Sequence, residues 1–278
     1  MILSDYHVHS EFSSDSESPM ESMVIRAIEL NFNRLCFTDH MDYHYPTNIS
    51  GMNFLFEPEQ YQKKINFLKE KYEGHLHILT GIELGLQTGI QENIQDLLQT
   101  YSFDFIIGST HLVDKMDPYY DEYWNQLYET CESKESAIQY GIEKYFITTL
   151  EQVKAYNDFC VYGHLDYIVR YAPDKDKYYD CKRYLDLLDE ILRRLIHSGK
   201  GIELNTSGYK AGLSFPNPHH HILERYRELG GEIITIGSDA HVPGHIGYEF
   251  ARARELLVTL GYNYYTVFEH RKPIFLKL

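Results

Sequence analysis

No Cys-x-x-Cys pair occurs in this 278-residue chain. Its four cysteines, Cys36, Cys131, Cys160 and Cys181, are scattered, and without such spacing they read as reduced structural thiols. Positive charge is scarce. Lys and Arg number 26 against 41 Asp and Glu, a formal net charge of -15. Such a surface repels polyanions, so neither nucleic acid nor an anionic membrane is expected as a partner. No apolar run approaches the length of a membrane span. A basic-then-apolar signal segment is also missing, and a cytoplasmic location is the expectation. Repeats, low-complexity tracts and linkers are absent, which predicts one domain over residues 1–278.

What is present is alternation. Short apolar runs at 2–7, 34–39, 76–84, 104–110, 159–164, 201–206 and 232–238 read as strands. Amphipathic stretches at 20–30, 58–72, 90–100, 137–156, 179–197, 218–229 and 247–260 read as helices between them. Seven strand–helix units in this order predict an α/β fold with a parallel sheet. Its closure into a barrel fits the chain length. Residues 111–135 lack a period and read as an elaborated loop or short helix over the site. The tail, 262–278, reads as one more strand or a surface strap.

Histidines and carboxylates recur where these apolar runs stop. The segment DYHVHS places His7 and His9 at i and i+2. On a strand both point to one side, roughly 6.5 Å apart along the backbone, where two imidazoles can share an ion. Asp15 follows in the next loop. TDH ends at His40, GIELG holds Glu83, STH ends at His111, GHLD holds His164, and SDAH holds Asp239 and His241. Imidazole nitrogen and carboxylate oxygen are the ligands of divalent transition metals. A single strand-end histidine is more often a satisfied polar residue than a ligand. Nine such residues at one mouth of one barrel would need nine independent coincidences.

The ordered set HxH, TDH, GIELG, STH, GHLD and SDAH resembles the PHP (polymerase and histidinol phosphatase) superfamily of metal-dependent phosphoesterases. The resemblance runs from residue 5 to about residue 245. GHLDYIVRY and GIELNTSG look most like the HisK-type histidinol-phosphate phosphatases. The resemblance implies a distorted (β/α)7 barrel with three divalent metal ions (Zn, Mn or Fe) at the C-terminal ends of its strands. It assigns His7, His9, Glu83 and Asp239 to the first ion. Glu83, His111 and His164 would take the second, with the Glu83 carboxylate bridging. Asp15, His40 and His241 would take the third. Many superfamily members have His where Asp15 stands; a carboxylate is the harder ligand, which leans that site toward Mn or Fe as well as Zn.

A phosphate monoester is a dianion that repels hydroxide. Clustered divalent ions lower the pKa of a bound water toward ~7 and neutralise phosphoryl oxygens. Three ions bring +6 and Asp15, Glu83 and Asp239 bring -3, which leaves a cationic site in an acidic protein. The expected reaction is in-line attack by a metal-bridging hydroxide, with Glu83, Asp239 and His241 in catalytic roles and no phosphoenzyme. The expected partner is a small phosphomonoester, L-histidinol phosphate above all, which would place the chain in histidine biosynthesis. Arg170 and Lys210 are candidates to hold the phosphate, the alternative being ordinary surface cations. Asn205 could orient substrate or cap a helix, the latter being favoured. His245 is a weaker candidate for protonating the leaving group. His219, His220 and His221 would point in three directions from a helix start, and His75 and His77 lie at the wrong end of their strand. Asp114, Asp117 and Tyr119 could line the pocket. Competing functions are a nuclease or nucleotidase, a phosphotyrosine phosphatase, and a metal-binding regulatory scaffold without turnover. Oligomeric state is not legible in the sequence.

Overall fold

Strands buried on both faces read as continuous apolar runs. Phe105–Ser109, buried at all five positions, illustrates the pattern. A computed structural model describes residues 1–47 and 51–278. Its strands are β1 (Ser4–Val8), β2 (Arg34–Phe37), β3 (His40–Met41), β4 (His77–Gly85), β5 (Phe105–Ser109), β6 (Val161–Tyr162), β7 (Gly201–Asn205) and β8 (Ile234–Gly237). They pair in parallel in the order β1-β2-β4-β5-β6-β7-β8, with β3 alongside β4 beyond the end of β2. The first and last strands meet: the Asp239 amide donates to the His7 carbonyl at 2.8 Å, and the His9 amide to the Ala240 carbonyl at 2.9 Å. The result is a nearly closed seven-stranded barrel, the fold class read from the sequence.

The helices are α1 (Met20–Glu29), α2 (Pro58–Lys71), α3 (Gln91–Thr100), α4 (Asp121–Tyr128), α5 (Lys134–Ala155), α6 (Leu185–His197), α7 (Ser207–Lys210), α8 (His220–Glu228) and α9 (Phe250–Thr259). Helical spacing decides which face each buries. In α6 the buried residues are Leu188, Ile191, Leu192 and Leu195, an i, i+3, i+4, i+7 stripe. Each such side chain contributes about 1.5–3 kcal/mol when withdrawn from water. Ser133 and Ser136 form a reciprocal cap that starts α5 three residues before its apolar period becomes visible.

Three departures from the sequence reading bear on the site and its frame. The second strand is interrupted at Thr38 and Asp39. Here the Asp39 carboxylate turns aside to accept from the Ser10 amide at 2.6 Å and the Ser13 hydroxyl at 2.8 Å, pinning the loop after β1. The stretch 179–197 is helical only from Leu185, preceded by a 3-10 turn at Cys181–Tyr184. The tail is neither a single strand nor a strap. It is an antiparallel hairpin of β9 (Tyr264–Glu269) and β10 (Lys272–Lys277). The hairpin caps the N-terminal end of the barrel: the Tyr6 hydroxyl donates to the Phe268 carbonyl at 2.8 Å, and the Arg271 amide to the Asp104 carbonyl at 2.8 Å. The opposite end, where the strands finish, is left open for a site.

Candidate metal centre

Glu83 sits within β4, the longest strand, with its side chain fully buried in the barrel mouth. Register places it beside His40 on one side and Ile107 on the other. Its two carboxylate oxygens face two different sets of imidazoles. Oε1 lies 2.9 Å from His164 Nε2, 3.3 Å from His111 Nε2, and accepts from the Ser109 hydroxyl at 2.6 Å. Oε2 lies 3.1 Å from His7 Nε2, 3.1 Å from His40 Nδ1 and 3.6 Å from His9 Nε2. Asp239 Oδ1 stands 3.4 Å from His9 Nε2 and 3.8 Å from His7 Nε2. Asp15 Oδ2 is 3.1 Å from His241 Nε2 and 3.6 Å from His40 Nε2. All nine residues singled out in the sequence therefore converge at one mouth.

Among the described residues, four groups of three have ligand atoms mutually within 4.8 Å: His7, Glu83 and His164; His7, His9 and Asp239; His40, Glu83 and His111; and His9, His40 and His241. The donor chemistry fits divalent ions. Among the described residues, the buried nitrogens His9 Nε2, His40 Nδ1 and His164 Nδ1 have no hydrogen-bond partner. Buried imidazole nitrogens are normally paired; His9 Nε2 and His40 Nδ1, which lie 3.6 and 3.1 Å from Glu83 Oε2, are free for ligation, whereas His164 turns Nε2 rather than Nδ1 toward Glu83. His40 stands between Glu83 and Asp15, and so belongs geometrically to two groups rather than one.

The electrostatics of the cluster call for cations. Burial alone would raise the Glu83 carboxyl; His7, His40 and His111 outweigh it and hold it well below the usual range. Asp239 and Asp15 behave alike, held down against burial by their neighbouring imidazoles and, for Asp239, by Arg170. Burial disfavours the charged form of His40, yet Glu83 and Asp15 raise it to about 9. His9 is pushed the other way, first by burial and then by His241 and His40, and so stays in the neutral form that ligates. Asp239 and His164 both carry positive φ, 54° and 22°, a strained backbone in non-glycine residues at the site.

Two carboxylates escaped the sequence reading. Glu203 on β7 accepts from His7 Nδ1 at 2.6 Å, and Asp42 accepts from His111 Nδ1 at 2.6 Å. Each fixes the tautomer that points Nε2 of its histidine at Glu83. A signal for Glu203 existed: Gly-Ile-Glu-Leu occurs at 81–84 and again at 201–204. Asp42 lies two residues past His40, on the same period-2 logic as the His-x-His pair. Counting both changes the formal charge. With the three divalent ions that the resemblance implies, five carboxylates would give +6 -5 = +1, not +3, and cationic side chains would gain importance. Small residues make room for both carboxylates. A side chain at Gly237 would collide with Glu203 Oε1 and His7 Cβ, and one at Gly85 with the Asp42 carboxyl.

Arg170 and Lys210 both line a cavity of about 330 Å³ at this mouth. Arg170 is not a surface cation; it is 2% exposed. Its Nη1 donates to Asp239 Oδ2 at 2.7 Å and its Nε to Asn217 Oδ1 at 2.6 Å. Lys210 Nζ donates to the Asp239 carbonyl at 3.0 Å, and burial lowers its pKa. Asn205 does two things: Oδ1 accepts from the Ser207 amide at the start of α7, and Nδ2 lies 3.1 Å from Glu203 Oε2. The cavity wall is aromatic, with Tyr45, Phe54, Tyr167 and Tyr171, and includes Asp117 and Tyr119. Asp114 instead pairs with Lys144. His219 caps α8 by accepting from the His221 amide.

Residues 5–207 match the PHP domain family. The chain belongs to that family. Among PHP proteins it is 30% identical over 274 residues to the histidinol-phosphatase of Lactococcus lactis, covering 96% of this chain and 95% of that protein. It is 33% identical over 252 residues to a probable histidinol-phosphatase of Clostridium acetobutylicum, covering 91% of each. The crystal structure of the Lactococcus lactis histidinol phosphate phosphatase, complexed with zinc, L-histidinol and phosphate, superposes with a TM-score of 0.85. It is 29% identical and covers 98% of both chains. Among the described residues of this PHP protein, no helix is long and apolar enough to cross a membrane.

Proposed function

We propose that this PHP protein is a histidinol-phosphate phosphatase, hydrolysing L-histidinol phosphate to L-histidinol and phosphate. The observation that carries the reading is the Glu83 carboxylate, whose two oxygens face separate imidazole sets beside a cavity lined by Arg170 and Lys210. The kinship with histidinol-phosphatases, one of them seen with zinc, histidinol and phosphate, supports the substrate.

His7, His9, Glu83 and Asp239 would hold one divalent ion, Glu83, His111 and His164 a second, and Asp15, His40 and His241 a third. Zinc, manganese and iron all suit this donor set. When bound, such ions supply an activated water and neutralise phosphoryl charge. The chain's own residues do the rest. Glu203 and Asp42 keep His7 and His111 in the ligating tautomer. Arg170 and Lys210 bring two positive charges to the phosphoryl oxygens. Asp117 and the tyrosine wall receive the cationic alcohol and exclude water from its apolar flank.

Phosphate release by zinc- or manganese-loaded protein tests the reading. L-histidinol phosphate, phosphotyrosine, p-nitrophenyl phosphate and a 5′-phosphorylated oligonucleotide should be compared. Histidinol phosphate is expected to give the highest kcat/KM, and a chelator to abolish release. A preference for phosphotyrosine or the oligonucleotide would overturn the substrate, and release that survives chelation would overturn the metal centre.

A further inference from the structure

Asp166 closes the GHLD segment. It is fully buried, and three donors surround its carboxylate. Asn217 Nδ2 donates to Oδ1 at 2.5 Å, the His219 amide to Oδ2 at 2.9 Å, and the Tyr179 hydroxyl to Oδ2 at 3.1 Å. Asn217 is itself fully buried. A carboxamide has one donating end and one accepting end. Because Asp166 takes the donating end, Asn217 must present its oxygen on the other side. There it accepts from Arg170 Nε at 2.6 Å. A guanidinium is planar, so anchoring Nε to Asn217 and Nη1 to Asp239 fixes the direction of the third nitrogen. That nitrogen, Nη2, is buried and without a partner among the described residues, on a side chain that lines the cavity.

We propose that Asp166 is a positioning residue for the phosphate contact, acting through the orientation of the Asn217 amide to hold the Arg170 guanidinium at the cavity wall. The proposal rests on the reading of Arg170 as a phosphate ligand. Asp166 also ties the turn before α6 to the start of α8, through Tyr179 and the His219 amide. Those two bonds do not involve Arg170, and they separate the positioning role from a purely structural one.

In Asp166→Asn, the His219 and Tyr179 donors hold the new amide oxygen in the Oδ2 position. The new NH2 group then faces Asn217, whose amide loses its 2.5 Å acceptor and keeps only the Asp166 carbonyl at 3.3 Å, and turning it sets its own NH2 against Arg170 Nε. Tyr179→Phe removes a bond to the same carboxylate and leaves Asn217 as it was. The measurement is equilibrium binding of inorganic phosphate to zinc-loaded protein, with zinc content and thermal midpoint recorded for each variant. Losing one charged hydrogen bond to phosphate weakens binding by roughly 10-fold or more. Asp166→Asn and Asn217→Ala are each expected to show a loss of about that size with zinc content unchanged, and Tyr179→Phe less than about twofold. In an Arg170→Ala background, Asp166→Asn should add nothing, since its effect passes through the missing guanidinium. Wild-type phosphate affinity in Asp166→Asn or Asn217→Ala, or an undiminished loss in the Arg170→Ala background, overturns the proposal. Unchanged affinity in Arg170→Ala alone overturns the phosphate contact on which it rests. Should Asp166→Asn fail to fold, Asp166→Ser, alone and combined with Arg170→Ala, carries the same test.

Discussion

Replacing Glu203 by Gln isolates what a carboxylate behind a proposed metal ligand, His7, does. Glu203 is 1% exposed, and its two oxygens have different duties. Oε1 accepts from His7 Nδ1 at 2.6 Å, while Oε2 accepts from the His164 amide at 2.9 Å and Asn205 Nδ2 at 3.1 Å. Gln has one acceptor end. Two donors compete for it against one, so the amide oxygen settles toward His164 and Asn205. Its NH2 group then faces His7 Nδ1, which must accept, and the ring proton moves to Nε2. That nitrogen is the one aimed at Glu83 and Asp239, and a protonated Nε2 cannot ligate. Losing such a partner typically weakens metal binding by about 10–100-fold. The lost charged hydrogen bond contributes roughly 1.5–3 kcal/mol to the fold. Chelator competition at neutral pH would give zinc affinity for both proteins, and urea unfolding of the metal-free forms would give the stability difference. Zinc affinity within twofold of wild type would refute the tautomer argument, whatever happened to stability.

Two further perturbations probe the frame around the site. Gly237→Ala puts a methyl group against Glu203 Oε1 and His7 Cβ. Overpacking of this kind destabilises by about 1–3 kcal/mol, so denaturant titration should show a lower midpoint, and an unchanged midpoint would show that β8 can yield. At α8, burial and then the neighbouring His220 and His221 lower His219 from the usual 6.5 to about 4. The folded protein therefore disfavours the proton that the unfolded chain takes up below pH 6.5, and His219 contributes stability that is lost as pH falls from 6.5 toward 4. His219→Asn keeps a helix-capping oxygen and removes the titration. Its thermal midpoint should fall less than that of wild type over this range, and parallel profiles would rule His219 out as the source.

The strands and the nine clustered histidines and carboxylates were legible because both obey short-range rules. Apolar runs ended at His7, Asp39, Thr110 and His164, and a side chain just past such a run faces the barrel mouth. Interior carboxylates were harder to see. Glu203 lies inside an apolar run like Glu83, but its partner His7 is 196 residues away, and nothing local announces the pairing. Asn217 is harder still: it lies outside every regular element, and a bridge to Asn205 places it. The C-terminal hairpin was missed because β9 gains its burial by covering the barrel's lower end. Outward-facing β10 keeps a half-exposed alternation that reads equally as strap or strand. Helix α4 is only eight residues long, too short for its period to stand out in a Tyr- and Asp-rich stretch.

The central claim is that Glu83 joins two metal-binding sets into one phosphatase centre. The most direct test is bound zinc per chain, measured alongside phosphate release from L-histidinol phosphate, for wild type and Glu83→Gln at equal free zinc. Gln preserves the shape and removes the charge that separates two cations. The account predicts fewer zinc equivalents and a loss of turnover by orders of magnitude. Wild-type zinc content with near-wild-type turnover in Glu83→Gln would contradict it.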